Sequence, residues 1–251
     1  MKQTFKKQVK WRKDKTAIFI CNCKTLIDLK IDFKYENFLK KLSSGIDCKD
    51  LIGEEKQIFN EFETLKYLAQ LETKQLSRED FDKAMNILDN ELGKKGVRDK
   101  NLLAEIYEEH SKYFIGLYLE NELIGVICGF PREDYLLMSE LAIDFRFQKR
   151  GFGKLITKKF EEIGFAKYNK IQVGAGDDAI HFYKSMNYSP FLLVQFDKGT
   201  YSKEDFSEFE IKSIRDWGIE LEVEICSVKE INESRKKYPK AYLQYIFIKK
   251  S

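Results

Sequence analysis

The apolar positions of the first 70 residues follow a two-residue period and then a helical one. Alternation from Val9 onwards and a β-prone run at residues 17–20 predict strands. Helical spacing follows, with Gly45 typical of a helix end and Asp47 of a helix start. The helices predicted in this way cover residues 33–42, 48–52 and 58–71.

Residues 77–144 show a helical pattern that changes into a strand pattern. Ser77 followed by Asp80 resembles a capping box, and Gly93 is typical of a helix end. Apolar stripes predict two helices within residues 77–110. A hairpin turning at residues 120–122 and a central strand with two apolar faces complete the segment. The predicted strands cover residues 113–119, 123–130 and 135–144.

The hydrophobic pattern of residues 191–251 predicts short elements separated by a linker. It predicts a strand at 191–196, a charged linker at 197–207, a strand at 221–226, a helix at 229–237 ended by Pro239, and a strand at 241–248. Alternation within residues 221–225 leaves one strand face towards water or a partner. This extension could extend the sheet, cover a substrate cleft or pair with a second subunit. The chain is therefore expected to have three parts, residues 1–76, 77–197 and 198–251.

Composition excludes several protein classes. A chain of 251 residues that is 43% hydrophobic can bury a core, and 14 glycines with 3 prolines exclude collagen-like and low-complexity sequence. Five scattered cysteines without a CxxC pair, and two histidines, argue against a metal cluster or a disulfide framework. No apolar leader and no run of 18 apolar residues is present. The expectation is a cytoplasmic protein without a membrane span.

Charge is unevenly distributed. The net charge is +3, but residues 1–78 hold 17 Lys and Arg against 11 Asp and Glu, a local excess of 6. The basic start is either a solvated strand edge or frayed terminus, or a binding arm. The modest total charge and the lack of a basic recognition helix argue against nucleic acid as a partner.

The strongest chemical signal lies after the predicted central strand. The loop from Phe145 to Lys154 contains glycines and cations and runs into an amphipathic helix. A strand, a glycine-bearing loop and a helix start together favour an anion site, because free amides and the helix dipole meet the anion. Glycine also allows close approach of the backbone.

Two blocks within residues 79–197 resemble the GNAT superfamily of N-acyltransferases. The first is Leu141-Ala142-Ile143 followed by Gln148-Lys149-Arg150-Gly151-Phe152-Gly153. The second begins at Gly176 and contains Phe182-Tyr183 before Asn187-Tyr188. Gly176 stands where the family has Asn, and Asn187-Tyr188 stands where it has Gly-Phe. Asn tolerates the left-handed conformation, so the second turn is expected to form.

The resemblance implies acetyl-coenzyme A as cofactor. Amides around the loop would hold the pyrophosphate, and the preceding strand would bond the pantetheine arm as an added strand does. Tyr183 stands at the position of the tyrosine that protonates the leaving thiolate. The implied cofactor-binding residues are Leu141, Ala142, Ile143, Gln148, Lys149, Arg150, Gly151, Phe152, Gly153 and Lys154.

The general base is the less defined part of this interpretation. Glu140 is the first candidate because it lies on the strand beside the implied pantetheine arm. The alternative is a carboxylate paired with Arg146. Asp178 and His181 are further candidates, although Asp177 or Asp178 also fits a helix N-cap and His181 fits a packed or surface histidine.

Residues 1–75 resemble the PqqD-like winged-helix domains that recognise precursor peptides. The resemblance depends on a hairpin, the Gly45 turn, a short helix and a longer one, and implies a peptide partner for residues 1–76. An extension that packs on the next domain is the alternative. The expected fold is α+β, with a GNAT-like central mixed sheet flanked by helices, a winged-helix-like N-terminal unit and a C-terminal β-α-β extension.

The leading functional hypothesis is an acetyl-CoA-dependent N-acetyltransferase. Direct attack by a primary amine of a small molecule or peptide requires no metal and no covalent enzyme intermediate. The alternative is a catalytically weak acyl-CoA-binding or peptide-binding scaffold. The C-terminal extension could also support an oligomer.

Overall fold

The structure is a computed structural model that describes residues 2–24, 27–93, 99–223 and 226–251, without the side chains of residues 27 and 28. Contacts divide the chain into two compact units. The first comprises Met1–Cys128 and Glu140–Glu162, and the second comprises Gly129–Ser139 and Ile163–Ser251. The division of the chain into three domains, with boundaries at residues 76 and 197, stays a prediction.

The first unit contains most of the N-terminal elements. In chain order they are β1 (Lys2–Phe5), β2 (Val9–Lys13), β3 (Ile18–Asn22), β4 (Ile27–Ile31), α1 (Glu36–Ser44), β5 (Ile46–Asp47), α2 (Gly53–Thr64), β6 (Leu68–Gln75), α3 (Phe81–Glu91), α4 (Lys100–His110) and β7 (Phe114–Leu119). Strand β8 (Glu122–Pro131), strand β9 (Leu136–Ile143) and helix α5 (Phe152–Phe165) begin or end in this unit.

Two sheets organise the first unit. The larger has the order β9-β8-β7-β6-β1-β5, with antiparallel pairing of β5, β1, β6, β7 and β8, and the smaller is the antiparallel β2-β3-β4 sheet. One core cluster joins α1 and α2 to both sheets through residues such as Phe38 and Phe62. A second places Phe81 and Tyr107 of α3 and α4 against Phe114 of β7. These apolar residues at helical and strand spacing are therefore buried as their pattern predicts.

The predicted helix over residues 58–71 is wrong in its second half. Helix α2 ends at Thr64, where Lys66 adopts φ +55° and the Tyr67 amide donates to the Phe62 carbonyl at 2.9 Å. Leu68 and Leu71 then belong to β6, which pairs with β1 on one side and β7 on the other. Tertiary strand pairing overrides the helical spacing here. The third helix of the expected winged-helix-like unit is therefore shorter than predicted, and its last predicted residues form a strand.

Other local predictions in this unit are confirmed. The Asp47 carboxylate accepts from the Lys49 amide at 3.1 Å and caps a short 3-10 helix, and Gly45 ends α1 at φ +94°. The Ser77 hydroxyl accepts from the Asp80 amide at 3.3 Å at the start of the α3 segment. Helices α3 and α4 lie within the predicted range, although residues 94–98 between them fall outside the described residues.

The second unit is built on one sheet. Its elements are β10 (Lys170–Ala175), α6 (Ile180–Ser185), β11 (Ser189–Gln195), β12 (Ile211–Arg215), β13 (Gly218–Leu221), α7 (Val228–Lys237) and β14 (Tyr242–Lys250). The start of β9 pairs in parallel with β10, while β14 runs antiparallel between β10 and β11. Strand β13 pairs with β11 and β12. Antiparallel pairs therefore predominate, as expected for a mixed α+β fold.

The predicted strand at 221–226 is displaced. Strand β13 ends at Leu221, the hairpin partner β12 lies before it, and residues 224 and 225 fall outside the described residues. Part of the predicted linker is also structured, since residues 203–206 form a 3-10 helix with Phe206 fully buried. Its ring packs against Tyr238 with centroids 4.7 Å apart. Aromatic packing thus orders a segment whose charges suggested a loop.

Neither a membrane-spanning helix nor a metal-binding cluster is found in the described ranges. None of the helices there is long and apolar enough to cross a membrane. No group of three or more His, Cys, Asp or Glu residues there could hold a metal ion.

Candidate functional site

The loop between β9 and α5 has the conformation that the sequence pattern favours. The Asp144 carboxylate accepts from the Arg146 amide at 2.9 Å and starts a single 3-10 turn over residues 145–147. Lys149 (φ +60°) and Gly151 (φ +82°) adopt left-handed conformations, and α5 begins at Phe152. Phe147 and Phe152 are buried and anchor both ends of the loop. The first amides of α5 have no acceptor within the helix, as at every helix start.

A carboxylate of α3 braces this loop from the side. One Glu91 oxygen accepts from the Phe145 amide at 3.0 Å, and the other accepts from the Gln148 side-chain amide at 2.7 Å. Gln148 also donates to the Ile143 carbonyl at 2.9 Å. Sequence reasoning did not identify Glu91, because its only sequence signal is an ordinary charged position near a helix end. The side chain of Gln148 is engaged by protein groups, so its implied role in cofactor binding rests on the main chain.

Arg146 pairs with residues other than Glu140. Its guanidinium donates to both Asp144 carboxylate oxygens and contacts Glu122 at 2.9 Å. These hydrogen bonds raise the pKa of Arg146 and lower the pKa of Asp144. Arg146 therefore forms its ion pairs with Asp144 and Glu122 and not with Glu140, the partner suggested by the sequence. Glu140 itself is buried on β9 with 9% of its surface exposed.

The last residues of β9, which precede the loop, are mostly buried in the first unit. Ala142 is buried in the cluster under α3 and α4, and alternation along β9 places the Glu140 side chain on the same face. Gly125 of β8 lies so close that an added Cβ would come within 3.2 Å of the Ala142 carbonyl oxygen. Leu141 is half-buried on the opposite face, and Ile143 is buried at the end of the strand.

Arg150 connects the loop to the N-terminal strand β1. It donates to the Phe5 carbonyl at 2.6 Å and to the Thr4 hydroxyl at 3.2 Å. Burial lowers the pKa of Arg150 to about 10, which leaves it protonated at neutral pH. This guanidinium positions the loop through protein contacts, and the main-chain contact with the cofactor that the resemblance implies for Arg150 stays a prediction. Phe152 and the half-buried Gly153 follow, and Lys154 is exposed in the first turn of α5.

Gly151 lies against α1, which precedes the family-like blocks by about 100 residues. An added Cβ at Gly151 would lie 2.6 Å from the Ser44 hydroxyl oxygen. Together with the left-handed φ of +82°, this contact requires glycine at this position. The glycine that sequence analysis associated with close cofactor approach also allows close approach of α1.

Tyr183 lies on α6 in the second unit. Its ring packs against Phe247 and Tyr188, and its hydroxyl lies 3.8 Å from the Met138 sulfur. Burial, with a smaller contribution from Asp178, raises the pKa of Tyr183. A phenol is ordinarily about 1.5 pKa units weaker as an acid than a thiol, so proton transfer to a thiolate runs uphill. Burial of the phenol increases that difference.

The other base candidates lie at the start of α6. Asp178 and His181 are exposed, and Gly176, not an aspartate, occupies the N-cap position of the 3-10 turn before α6. Asp177 instead binds Arg235 of α7 at 2.6 and 3.0 Å, so the predicted side-chain cap is wrong. Asn187 has φ +62°, which confirms the left-handed turn expected from the Asn-Tyr pair.

Cys128 of β8 is a buried thiol and is not suited to reaction as a nucleophile. Cys128 is buried with 1% of its surface exposed in the core cluster of the first unit. A thiol in an apolar core packs as a small hydrophobic residue. Burial is thus the outcome for Cys128, as its position in an apolar strand predicts.

Comparison with known proteins identifies one family over nearly half of the chain. Residues 71–188 match the family described as "Acetyltransferase (GNAT) family". The match contains Glu140, the loop at 148–154 and Tyr183, and confirms the GNAT resemblance for this part of the chain. It does not include residues 1–70, and the PqqD-like resemblance finds no support. Comparison with curated proteins finds no match.

Several solved structures resemble part of the chain at low identity. A Pyrococcus horikoshii protein described as an acetyltransferase is 15% identical over 55% of each chain, with a TM-score of 0.44. Ard1 from Thermoplasma volcanium is 15% identical over 61% of this chain and 99% of its own, also at 0.44. N-acetylglutamate synthase from Neisseria gonorrhoeae, complexed with coenzyme A and N-acetyl-glutamate, is 14% identical over 72% of this chain and 35% of its own, at 0.42.

The chain thus spans about half the length of the first of these proteins, 55%, and 35% of the Neisseria enzyme. The similarity to the GNAT family is shown by the family match, which does not depend on these structures. Residues 71–188 are similar to the GNAT acetyltransferases.

Proposed function

We propose that the protein is an acetyl-coenzyme A-dependent N-acetyltransferase that acts on a primary amine of a small molecule or peptide. The observation that carries this proposal is the β9–loop–α5 arrangement inside the family-matched residues. Two left-handed residues turn the chain so that the loop ends at the N-terminus of a 14-residue helix. A helix N-terminus after a glycine-bearing loop is suited to a pyrophosphate group.

The loop fits such a group in three respects. Gly151 keeps side-chain bulk away from the backbone, Lys149 supplies an exposed cation, and Glu91 holds the loop through two hydrogen bonds. Main-chain amides of Phe152, Gly153 and Lys154 stand in the first turn of α5, where the helix dipole is positive. These amides and Lys149 are the proposed ligands of the pyrophosphate, and Arg150 positions them.

Residues 141–143 are the proposed partners of the pantetheine arm. The register pairs between β9 and β10 involve Leu136 and Leu137, and residues 141–143 lie further along the strand. An extended group can pair with main-chain donors and acceptors as an additional strand does. When bound, acetyl-CoA supplies the thioester whose acetyl group an amine attacks.

Glu140 is the proposed base and Tyr183 the proposed acid. Glu140 has the buried carboxylate on β9 that an amine could use to lose its proton, directly or through one water. Tyr183 would protonate the leaving sulfur. Because its raised pKa disfavours that transfer, we expect its contribution to fall at the lower end of the range for positioned acids.

The test combines binding and turnover. Acetyl-CoA affinity is measured by calorimetry, and release of the free thiol is followed with a panel of small amines and peptides. Gly153→Asp adds a negative charge in the first turn of α5, where an aspartate suits the helix but repels a pyrophosphate. We expect affinity to fall more than tenfold, about 1.4 kcal/mol.

Gly199→Asp introduces the same side chain at an open turn in the second unit and serves as the matched control. It should leave acetyl-CoA affinity unchanged. A folded wild-type protein that does not bind acetyl-CoA, or a Gly153→Asp variant that binds as tightly as wild type, would contradict the proposed site.

Two features of the second unit favour the second candidate function, an acyl-CoA-binding scaffold with weak catalysis. The Tyr183 hydroxyl faces the weak acceptor sulfur of Met138, and Gly176 lacks the side chain of the family's asparagine. Both changes fit a catalytically weak acyl-CoA-binding scaffold. Tight acetyl-CoA binding with no thiol release on any amine would favour this second function over the first.

A further inference from the structure

A basic cleft lies beside the β9–α5 loop in the first unit. It measures about 360 Å³, within the range of small-molecule sites. Two of its walls come from the N-terminal extension, residues 1–70, which lies outside the family-matched residues, and the third comes from the loop itself. The residues that matter for its chemistry are Lys10 and Trp11 of β2, Lys40 and Ser44 of α1, and Lys149 and Gly151 of the loop.

The charge of this cleft has one sign. Its ten lining residues include the cations Lys10, Lys40, Lys149 and Arg150 and no carboxylate. Lys40 is bound at 2.7 Å by Glu36, which also holds Lys13. Lys10 and Lys149 are exposed and form no ion pair with another residue in the described parts of the chain. Clustered lysines attract phosphate groups.

The cleft is held together by hydrogen bonds among its walls. Trp11 donates from its indole nitrogen to the Ser43 hydroxyl at 3.1 Å, and Thr4 donates to the Ser43 carbonyl at 3.0 Å. Arg150 in turn donates to Thr4 and to the Phe5 carbonyl. The loop, β1, α1 and the half-buried Trp11 ring thus form a connected structure, with a flat aromatic surface beside the lysines.

We propose that this cleft binds the 3′-phosphoadenosine end of coenzyme A, with Lys10 and Lys40 facing the 3′-phosphate and Trp11 available for stacking on the adenine. The inference rests on the proposed function. The cleft shares Lys149–Gly151 with the pyrophosphate loop, and in coenzyme A a single ribose separates the pyrophosphate from the adenine and the 3′-phosphate. Aromatic rings stack on bases without needing a particular hydrogen-bond pattern. The N-terminal extension is thereby part of the cofactor site.

Dephospho-coenzyme A, which lacks only the 3′-phosphate, tests this proposal. Calorimetry compares its affinity with that of coenzyme A for wild type, Lys10→Gln and Lys40→Gln. We expect wild type to prefer coenzyme A by at least tenfold. Each variant should lose threefold to tenfold in affinity for coenzyme A and almost none for dephospho-coenzyme A, and the preference should decrease as salt is raised.

Lys30→Gln is the matched control, because Lys30 is an exposed lysine of β4 in the same small sheet and does not line the cleft. It should leave both affinities unchanged. Equal wild-type affinity for the two coenzymes, or variants that keep the full preference, would overturn this inference alone. A wild-type protein that binds neither coenzyme would overturn the proposed function as well.

Discussion

Replacing Gly151 by alanine separates two costs that the structure assigns to this position. Gly151 has φ +82°, and an added Cβ would lie 2.6 Å from the Ser44 hydroxyl oxygen and 3.0 Å from the Ser44 Cβ. Gly199 has nearly the same φ, +83°, but no atom within 4 Å of the added Cβ. Alanine at Gly199 thus incurs the left-handed strain alone, and alanine at Gly151 incurs strain and crowding.

The left-handed conformation costs a residue with a Cβ about 1–2 kcal/mol. Crowding in a packed region adds roughly 1–3 kcal/mol. We therefore expect the free energy of unfolding to fall by about 1–2 kcal/mol in Gly199→Ala and by about 2–5 kcal/mol in Gly151→Ala. Equilibrium urea unfolding, followed by circular dichroism and tryptophan fluorescence, measures both values and tests two-state behaviour.

A second substitution locates the crowding. Ser44→Ala removes the oxygen nearest to the added methyl group but leaves the Cβ, so it should recover part of the loss in the Gly151→Ala background. By itself it should change stability little, because the hydrogen bond that the Ser44 hydroxyl donates among the described residues is an exposed one of 3.2 Å to the Lys40 carbonyl. Equal losses for Gly151→Ala and Gly199→Ala, or no recovery in the double variant, would refute the close contact between α1 and the loop.

Three further predictions concern the acid, the loop and the departure from the family pattern. Tyr183→Phe should lower kcat by about 10²-fold and leave acetyl-CoA affinity unchanged; an unchanged kcat would show that the hydroxyl has no chemical role. Because Arg146 lowers the folded-state pKa of Asp144, this carboxylate stabilises the protein above its ordinary pKa of 3.8, and that contribution is lost as pH falls through the lowered value. Asp144→Asn should therefore reduce stability at pH 7 more than near pH 3 in urea unfolding, and equal losses would contradict the ion pair. Gly176→Asn should fold normally, because φ is −69° and the atom of the described residues nearest to an added Cβ is a side-chain oxygen at 3.0 Å, and it should tighten acetyl-CoA binding by calorimetry. Weaker binding would show that the family's asparagine contact does not form here.

Local sequence determined the features that depend on neighbours along the chain. The β9–loop–α5 segment, the Ser77 and Asp47 caps and the left-handed Asn187 each follow from residue type and spacing within a few positions. The GNAT-like blocks are of the same kind, since a phosphate-type turn requires glycines, a strand and a helix in fixed order.

The tertiary structure decided the features that depend on distant partners. Residues 68–71 have helical spacing but belong to strand β6, because all four pair with β1 and the strand continues from Leu71 in register with β7. The hydrogen bond from Arg150 to β1 joins residues about 145 positions apart, and the bond between Glu91 and the loop joins residues about 55 positions apart. A local sequence pattern therefore cannot predict either of them. Whether a given cation braces the protein or faces a ligand depends on which carbonyls and carboxylates folding brings beside it, and residue type alone does not specify those neighbours.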